Sequence, residues 1–410
     1  MNERGKHIPK GEWLLRGMKR TPLYDWHVSS GARMIDFGGW EMPLQYTGIA
    51  DEHINVRKKA GIFDVSHMGD IVIRGEGAEA LVGRLITNDP AGMPVGKGIY
   101  GHILNDEGKI IDDTIVYRIQ KDSYLLVPNA SMTGTVFDWI VKHRTGQEVL
   151  DLTDSIACFA VQGPRAEALM QHLTDLELSS LKRFHFVMTY LEIDGQPKDI
   201  ITGLRPSVLA DKEVGQGSLR EGVWPGGPFG ARVLLSRTGY TGEDGFEVLC
   251  DARAAVAIWN LLISAGSKDG LLPAGLGARD SLRLEMGYLL SGTDFDGTQS
   301  TVQTGPDWVI KWEHDFIGKA ALRHDMELKL PRLTALILDD RGIPRHGYSL
   351  LKEGQDAGYL TSGTLSPCLK RGIALGYVRP DLTEPGTELT VAIRDMRVPA
   401  HVVRPPFVRK

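Results

Sequence analysis

Hydrophobic and polar positions alternate along Ile71–Arg74 and Ile110–Ile119, and a period of two predicts strands there. Glu52 to Ala60 has the spacing of a helix, with Gly61 placed to end it. Asp251 to Ala265 repeats apolar residues as an amphipathic helix does. Gly275 to Glu285 (GLGARDSLRLE) reads as a glycine turn running into a helix. Residues 21–195 therefore mix strand and helix. From about Asp339 onward the pattern breaks into short strands and turns, as in a small barrel, with the boundary expected in the polar stretch Arg323 to Pro331. Residues 196–231 differ: Gly215 to Gly230 (GQGSLREGVWPGGPFG) has no apolar period and predicts a long surface loop.

Composition narrows the class. A chain of 410 residues exceeds one ordinary core, so two or three domains are expected. Its 42% hydrophobic and 24% charged residues are those of a globular protein, and no apolar run approaches the ~18 residues of a membrane span. A net charge of −5 argues against a nucleic-acid partner. Cys158, Cys250 and Cys368 lie far apart without a CxxC, so neither a disulfide framework nor a metal is expected, and a reducing compartment fits. Residues 1–20 are basic but carry Glu3 and Glu12 and no serine. They read as a surface extension, with a mitochondrial presequence as the alternative.

Candidate chemistry gathers in a few places. Ser236 to Val248 (SRTGYTGEDGFEV) sets Tyr240, Glu243, Asp244 and Glu247 among three glycines, where the chain turns tightly and a ligand could come close. In the strand around Asp112 and Asp113, alternation puts Asp113 on one face with Ile111, Ile115, Tyr117 and Ile119. A carboxylate on an apolar face is costly unless bonded or used, so Asp113 either caps a turn or pairs with an arginine, or it does chemistry. Glu247 points away from Phe246 and Val248 and is either an exposed strand carboxylate or a ligand acceptor. Arg279 has possible ion-pair partners in Asp280 and Glu285. His67 lacks a second ligand at suitable spacing and reads as structural, and no GxSxG surrounds Ser66.

These segments resemble the aminomethyltransferase family, the T-proteins of the glycine cleavage system. The resemblance runs in order through TPLYDWH (from Thr21), FGGWEMP (Phe37), GIFDVSHMG (Gly61), GKIIDD (Gly108), AVQGP (Ala160), the two glycine segments, DFIGK (Asp315) and TSGTLSP (Thr361). It implies an α+β, multi-domain folate-binding fold: three domains around a central folate cavity, ending in a small β-barrel. The implied layout is an extension at 1–20, a folate-binding region at 21–325 of two intertwined α+β domains with residues 196–231 as an insertion, and a barrel at 332–410. The implied activity moves a one-carbon unit from the aminomethyl-lipoyl arm of H-protein to tetrahydrofolate as co-substrate, releasing ammonia. By resemblance Asp113 is catalytic, Glu247 meets the pterin ring, and Arg279 binds a carboxylate of substrate or folate. Tyr100, Asn129, Tyr240 and Trp308 are similar to residues that line the cavity. A cytoplasmic enzyme is implied, or a mitochondrial one in a eukaryote.

The chain departs from the family pattern in three places. STVQTGPDW (Ser300 to Trp308) has Gln303 where members often have glutamate at the cavity rim. Some members continue past the end of PPFVRK to a further pocket tyrosine, and the insertion is the third departure. Two alternatives share the fold: a tetrahydrofolate-dependent O- or S-demethylase, and a folate-binding accessory protein for iron–sulfur assembly. The latter relatives carry KGCYxGQE, where this chain has RTGYTGED and no cysteine.

Overall fold

The computed structural model describes residues 17–191 and 231–409; residues 1–16 of the predicted extension and 196–230 of the predicted insertion lie outside the described residues. Among the described residues the strands form four sheets. A five-stranded antiparallel sheet has the order Gly98–Leu104, Ile110–Gln120, Ser123–Val127, Ile71–Arg74, Glu148–Asp151. A six-stranded sheet has the order Phe186–Leu191, Ala231–Ser236, Gly245–Asp251, Ile156–Gln162, Ala60–Asp64, Leu271–Pro273. A three-stranded sheet, Lys19–Arg20, Trp40–Gln45 and Arg33–Phe37, lies near the N-terminus. Six antiparallel strands between Arg332 and Val403 close into a barrel, which leaves no free edge.

The two larger sheets pack face to face through Val72, Tyr117 and Leu125 on one and Ile156, Leu234 and Leu249 on the other. Helices Ala78–Leu85 and Thr133–His143 cover the outer face of the five-stranded sheet. Ala166–Gln171 and Ala255–Gly266 cover that of the six-stranded sheet. The result is a helix–sheet–sheet–helix sandwich with a barrel docked on it, the α+β class expected.

The strands at Ile71–Arg74 and Ile110–Gln120 stand where alternation predicted them. Two helices shift. The first spans Ile49–Lys58, and Gly61 sits inside the strand Ala60–Asp64, paired with Gln162. A β-carbon at Gly61 would come within 2.4 Å of Val56, so this glycine serves strand–helix contact, not a helix end. The second helix is Ala255–Gly266; Asp251 closes the preceding strand and accepts from the backbone N–H of Arg253 at 2.9 Å. A helix over Lys319–Glu327 occupies part of the polar stretch before the barrel, whose first strand is Arg332–Leu338.

Candidate active site

The strand Ile110–Gln120 brings Asp112 and Asp113 into the interior. Its two faces are both covered. Ile110, Asp112, Thr114 and Val116 are buried on one side, while Ile115, Tyr117 and Ile119 face the other sheet. The more deeply buried carboxylate is Asp112, with no exposed surface, and Asp113 is half-buried. Singling out Asp113 by an apolar face thus misjudged the strand: a strand sandwiched between layers has no polar face to contrast with.

Both carboxylates are bonded. The Asn129 side-chain amide donates to Asp112 Oδ1 at 2.8 Å and to Asp113 Oδ1 at 2.7 Å. Asp112 also accepts from the Asn129 backbone N–H at 2.8 Å and from the Ser291 hydroxyl at 2.9 Å. Asp113 Oδ2 accepts from the Tyr100 hydroxyl at 2.8 Å. Behind Tyr100 stands His102 Nε2 at 3.3 Å, whose Nδ1 meets Thr301 Oγ1 at 3.0 Å. Burial lowers His102 to about 3, so its ring is neutral. With the proton on Nε2, the chain Thr301, His102, Tyr100, Asp113 donates in one direction throughout. No arginine reaches Asp113, and no turn is capped by it among the described residues.

Burial raises the pKa of Asp113. Asp112 is pushed up to about 7, by burial first and then by the charge of Asp113. Two adjacent carboxyls out of water resist holding two negative charges, so the pair retains a proton into the neutral range. Burial, then the Asp113 charge, raises Tyr100 well above the usual phenol, which keeps it a donor.

The second cluster comes from the glycine segments. On Gly245–Asp251, Phe246 and Val248 enter the core while Glu247 points the other way, as alternation predicted. Glu247 accepts a hydrogen bond from the Thr238 hydroxyl. Its pKa is raised by burial and restrained by Thr238 and by Arg279. Arg279, in the helix Leu276–Glu285, has its guanidinium 4.7 Å from the centre of the Tyr240 ring. The Tyr240 hydroxyl donates to the carbonyl of Leu289. Burial raises the Tyr240 phenol, and the charges of Arg283, Asp113 and Arg279 also bear on it. Trp308, 55% exposed, lies against Tyr100 with ring centres 5.8 Å apart.

The other expected carboxylates are spoken for. Glu243 pairs with Arg57 at 2.8 Å, and Asp244 with Arg237. The partners proposed for Arg279 go elsewhere: Asp280 to Arg283 at 2.7 Å and Glu285 to Arg57 at 2.9 Å. The backbone N–H of Arg279 donates to the Gly275 carbonyl at 3.1 Å, while its guanidinium makes no hydrogen bond or ion pair among the described residues and rests on Tyr240. The glycines of that segment admit protein rather than ligand. A β-carbon at Gly239 would meet Gln162 at 1.9 Å, and one at Gly242, where φ is +76°, would meet Met286 at 2.4 Å. Gln303 caps the helix Thr301–Thr304: its Oε1 accepts from the Ser300 N–H at 3.2 Å, and its amide donates to the Pro331 carbonyl at 3.3 Å.

His67 is buried with its Nδ1 unpartnered, edge-on to Phe37 at 5.4 Å. Burial, then Arg279, lowers it to about 4, which keeps the ring neutral. Ser66 Oγ accepts from the Cys158 N–H at 3.1 Å and ties the turn after Ala60–Asp64 to the strand Ile156–Gln162. His53, Glu285 and Cys368 bring metal-type ligand atoms within 4.8 Å of one another. There, however, Arg57 already neutralises Glu285 from Nε at 3.0 Å and Nη2 at 2.9 Å. Sequence reasoning missed His102, Thr238 and Ser291 as partners of the candidate residues. Only His102 carried a signal, two places after Tyr100 on the same strand face.

A buried, bonded acid pair, with a carboxylate and a guanidinium on the glycine segments, thus sits on an α+β body that ends in a closed barrel. The family profile described as GCVT N-terminal domain matches residues 23–202 and 210–314, and that described as glycine cleavage T-protein C-terminal barrel domain matches 332–409. The chain is 41% identical to an aminomethyltransferase of Geobacillus kaustophilus over 96% of its length and 99% of that protein's. It is 40% identical to one of Halothermothrix orenii, over 95% and 100%. The crystal structure of the glycine cleavage system aminomethyltransferase T from Bartonella henselae superimposes with a TM-score of 0.80 at 28% identity, covering 96% of this chain and 98% of that one. The enzyme is therefore a transferase. The chain belongs to the aminomethyltransferase family, the glycine cleavage T-proteins.

Proposed function

We propose that the protein transfers the one-carbon unit of an aminomethyl group, carried on the lipoyl arm of H-protein, to tetrahydrofolate with release of ammonia. The observations that carry this reading are the buried acid pair bonded by Asn129 and Tyr100, and the Arg279 guanidinium set over the Tyr240 ring beside the carboxylate Glu247. Tetrahydrofolate fits that donor set, since its pterin edge offers adjacent N–H groups to a carboxylate and its tail offers carboxylates to an arginine. When bound, it supplies the nitrogens that accept the one-carbon unit.

Each residue of the chain then has a task. Glu247, steadied by Thr238, accepts from the pterin edge and sets its rotation. Arg279 takes a carboxylate or ring edge in its planar fork, and the Tyr240 ring lies beneath its guanidinium. Asp113 holds or relays the proton at the reacting nitrogen, and burial raises its pKa, which favours holding a proton. Tyr100 and Asn129 fix both its oxygens. Trp308 shields Tyr100 from the outside. Much of the rate comes from positioning, because both reactants are large and held. The three cysteines are free, in keeping with our assignment to the cytoplasm. No helix among the described residues is long and apolar enough to cross a membrane.

Glu247→Gln replaces an acceptor by a donor facing a ring donor, and should weaken tetrahydrofolate about tenfold in calorimetric titration. Unchanged affinity would remove Glu247 from the pocket. Arg279→Lys keeps the charge but loses the fork; we expect catalytic efficiency to fall about tenfold or more. Normal turnover in that variant would make Arg279 an ordinary interior cation. The function itself is tested by ammonia release from aminomethylated H-protein, which should depend on added tetrahydrofolate; release indifferent to it would refute the reading.

A further inference from the structure

Residues 288–295 form a tight turn beside the acid pair. The N–H of Asp294 donates to Leu290 O at 2.8 Å and that of Gly292 to Phe295 O at 2.8 Å. The turn is tied to the rest of the molecule through Asp294, which is fully buried. Asp294 Oδ2 accepts from Arg283 Nη1 at 2.7 Å and from the Leu290 N–H at 2.9 Å. Its Oδ1 accepts from Thr361 at 2.5 Å and Ser362 at 2.7 Å, both on the barrel strand Gln355–Leu365. The Tyr377 hydroxyl donates to its carbonyl at 2.7 Å. Every polar group of Asp294 is thus satisfied, and the turn is held by the barrel and the Arg283 helix together. What the turn presents inward is Ser291, its hydroxyl on Asp112 Oδ1 at 2.9 Å.

We infer that Ser291 is a positioning residue for the acid pair: clamped by the Asp294 knot, its hydroxyl stabilises the ionised form of the pair through Asp112. The inference rests on the proposed function, in which Asp113 is the reacting acid. Ser291 supplies one of the three hydrogen bonds that Asp112 accepts, the other two coming from the Asn129 backbone and side chain. A donated hydrogen bond stabilises a carboxylate anion. Removing the one from Ser291 makes Asp112 a weaker home for charge and draws the proton toward it. The other ionisable groups bearing on the pair are Tyr100 and His102 on the adjoining strand, Asp294 on the turn, and Tyr240, itself influenced by Arg283 and Arg279. Ser291→Ala leaves all of them in place.

The test is a carboxyl-carbon NMR titration of protein labelled at aspartate, with Asp112→Asn and Asp113→Asn supplying the assignments, beside the pH profile of kcat. Loss of the Ser291 donor destabilises the ionised pair, so the proton is held to higher pH. In Ser291→Ala the pair's midpoint should rise by about one pH unit, and the break in kcat that belongs to it should move the same way. Ser291→Thr, which keeps the hydroxyl, should return both to the wild-type values, and in an Asp112→Asn background Ser291→Ala should move nothing. A wild-type titration in Ser291→Ala, or a uniform fall in kcat without a shift, would overturn the inference. The titration needs no substrate. A shifted midpoint in a protein that transfers nothing would therefore contradict the proposed function while leaving the role of Ser291 intact.

Discussion

Asp113→Asn should lower kcat about a thousandfold while tetrahydrofolate affinity and the unfolding midpoint stay near wild type. The variant keeps the shape and an acceptor for Tyr100 but can no longer hold or give up a proton. The matching change at Asp112 should cost turnover less, about tenfold. Asp112 sits behind the reacting position, fully buried, and accepts from Asn129 and Ser291. Its neutralisation disturbs the charge balance of the pair, not the group that meets the substrate. Single-turnover transfer, measured beside calorimetric binding, separates the two. Equal losses at both positions, or full activity in Asp113→Asn, would refute the assignment.

Asp294→Ala should destabilise the protein by about 3 kcal/mol, because it strands a buried guanidinium. Arg283 and Asp294 have 2% and 0% of their side chains exposed. Asp280, 47% exposed, still pairs with Arg283 and keeps the loss near the lower end for a broken buried pair. Thr361, Ser362 and Tyr377 lose their acceptor or its anchor in the same step, so the barrel loosens from the Arg283 helix. Replacing both members of the pair, Arg283→Met with Asp294→Leu, should recover part of the loss by removing the uncompensated charge. Urea unfolding gives the number. A change within about 0.5 kcal/mol of wild type would show that the knot does not hold the barrel.

The pattern of the chain exposed much of this architecture for a simple reason. Where the residue types on the two faces of an element differ, the period is visible, and Glu247 opposite Phe246 and Val248 is such a case, although its strand is covered on both sides. The strand carrying Asp112 and Asp113 has a carboxylate among apolar residues on each face, so its period could not say which carboxylate was special. Family resemblance chose Asp113, and the geometry adds Tyr100 and Asn129 as its partners. Long-range partners were invisible as well. Arg57 reaches Glu243 and Glu285, and Arg283 reaches Asp294 and Ser362, across stretches that local spacing does not span. Their pairing is what leaves Arg279 open, although Asp280 is its neighbour in the chain. Glycine was the least faithful guide. Gly239 and Gly61 mark places where protein packs on protein, and a one-dimensional pattern cannot tell such contact from the approach of a ligand.

The central claim is that this site passes a one-carbon unit from a lipoyl-bound aminomethyl group to tetrahydrofolate through Asp113. A single-turnover reaction with H-protein labelled with carbon-13 at the aminomethyl carbon tests it most directly, by following the label with NMR. The account predicts that in the wild-type protein the label leaves H-protein and appears in methylene-tetrahydrofolate with one equivalent of ammonia, and that in Asp113→Asn it stays on the lipoyl arm over the same interval. Label that stays on H-protein in the wild type, or that reaches folate equally fast in Asp113→Asn, would contradict it.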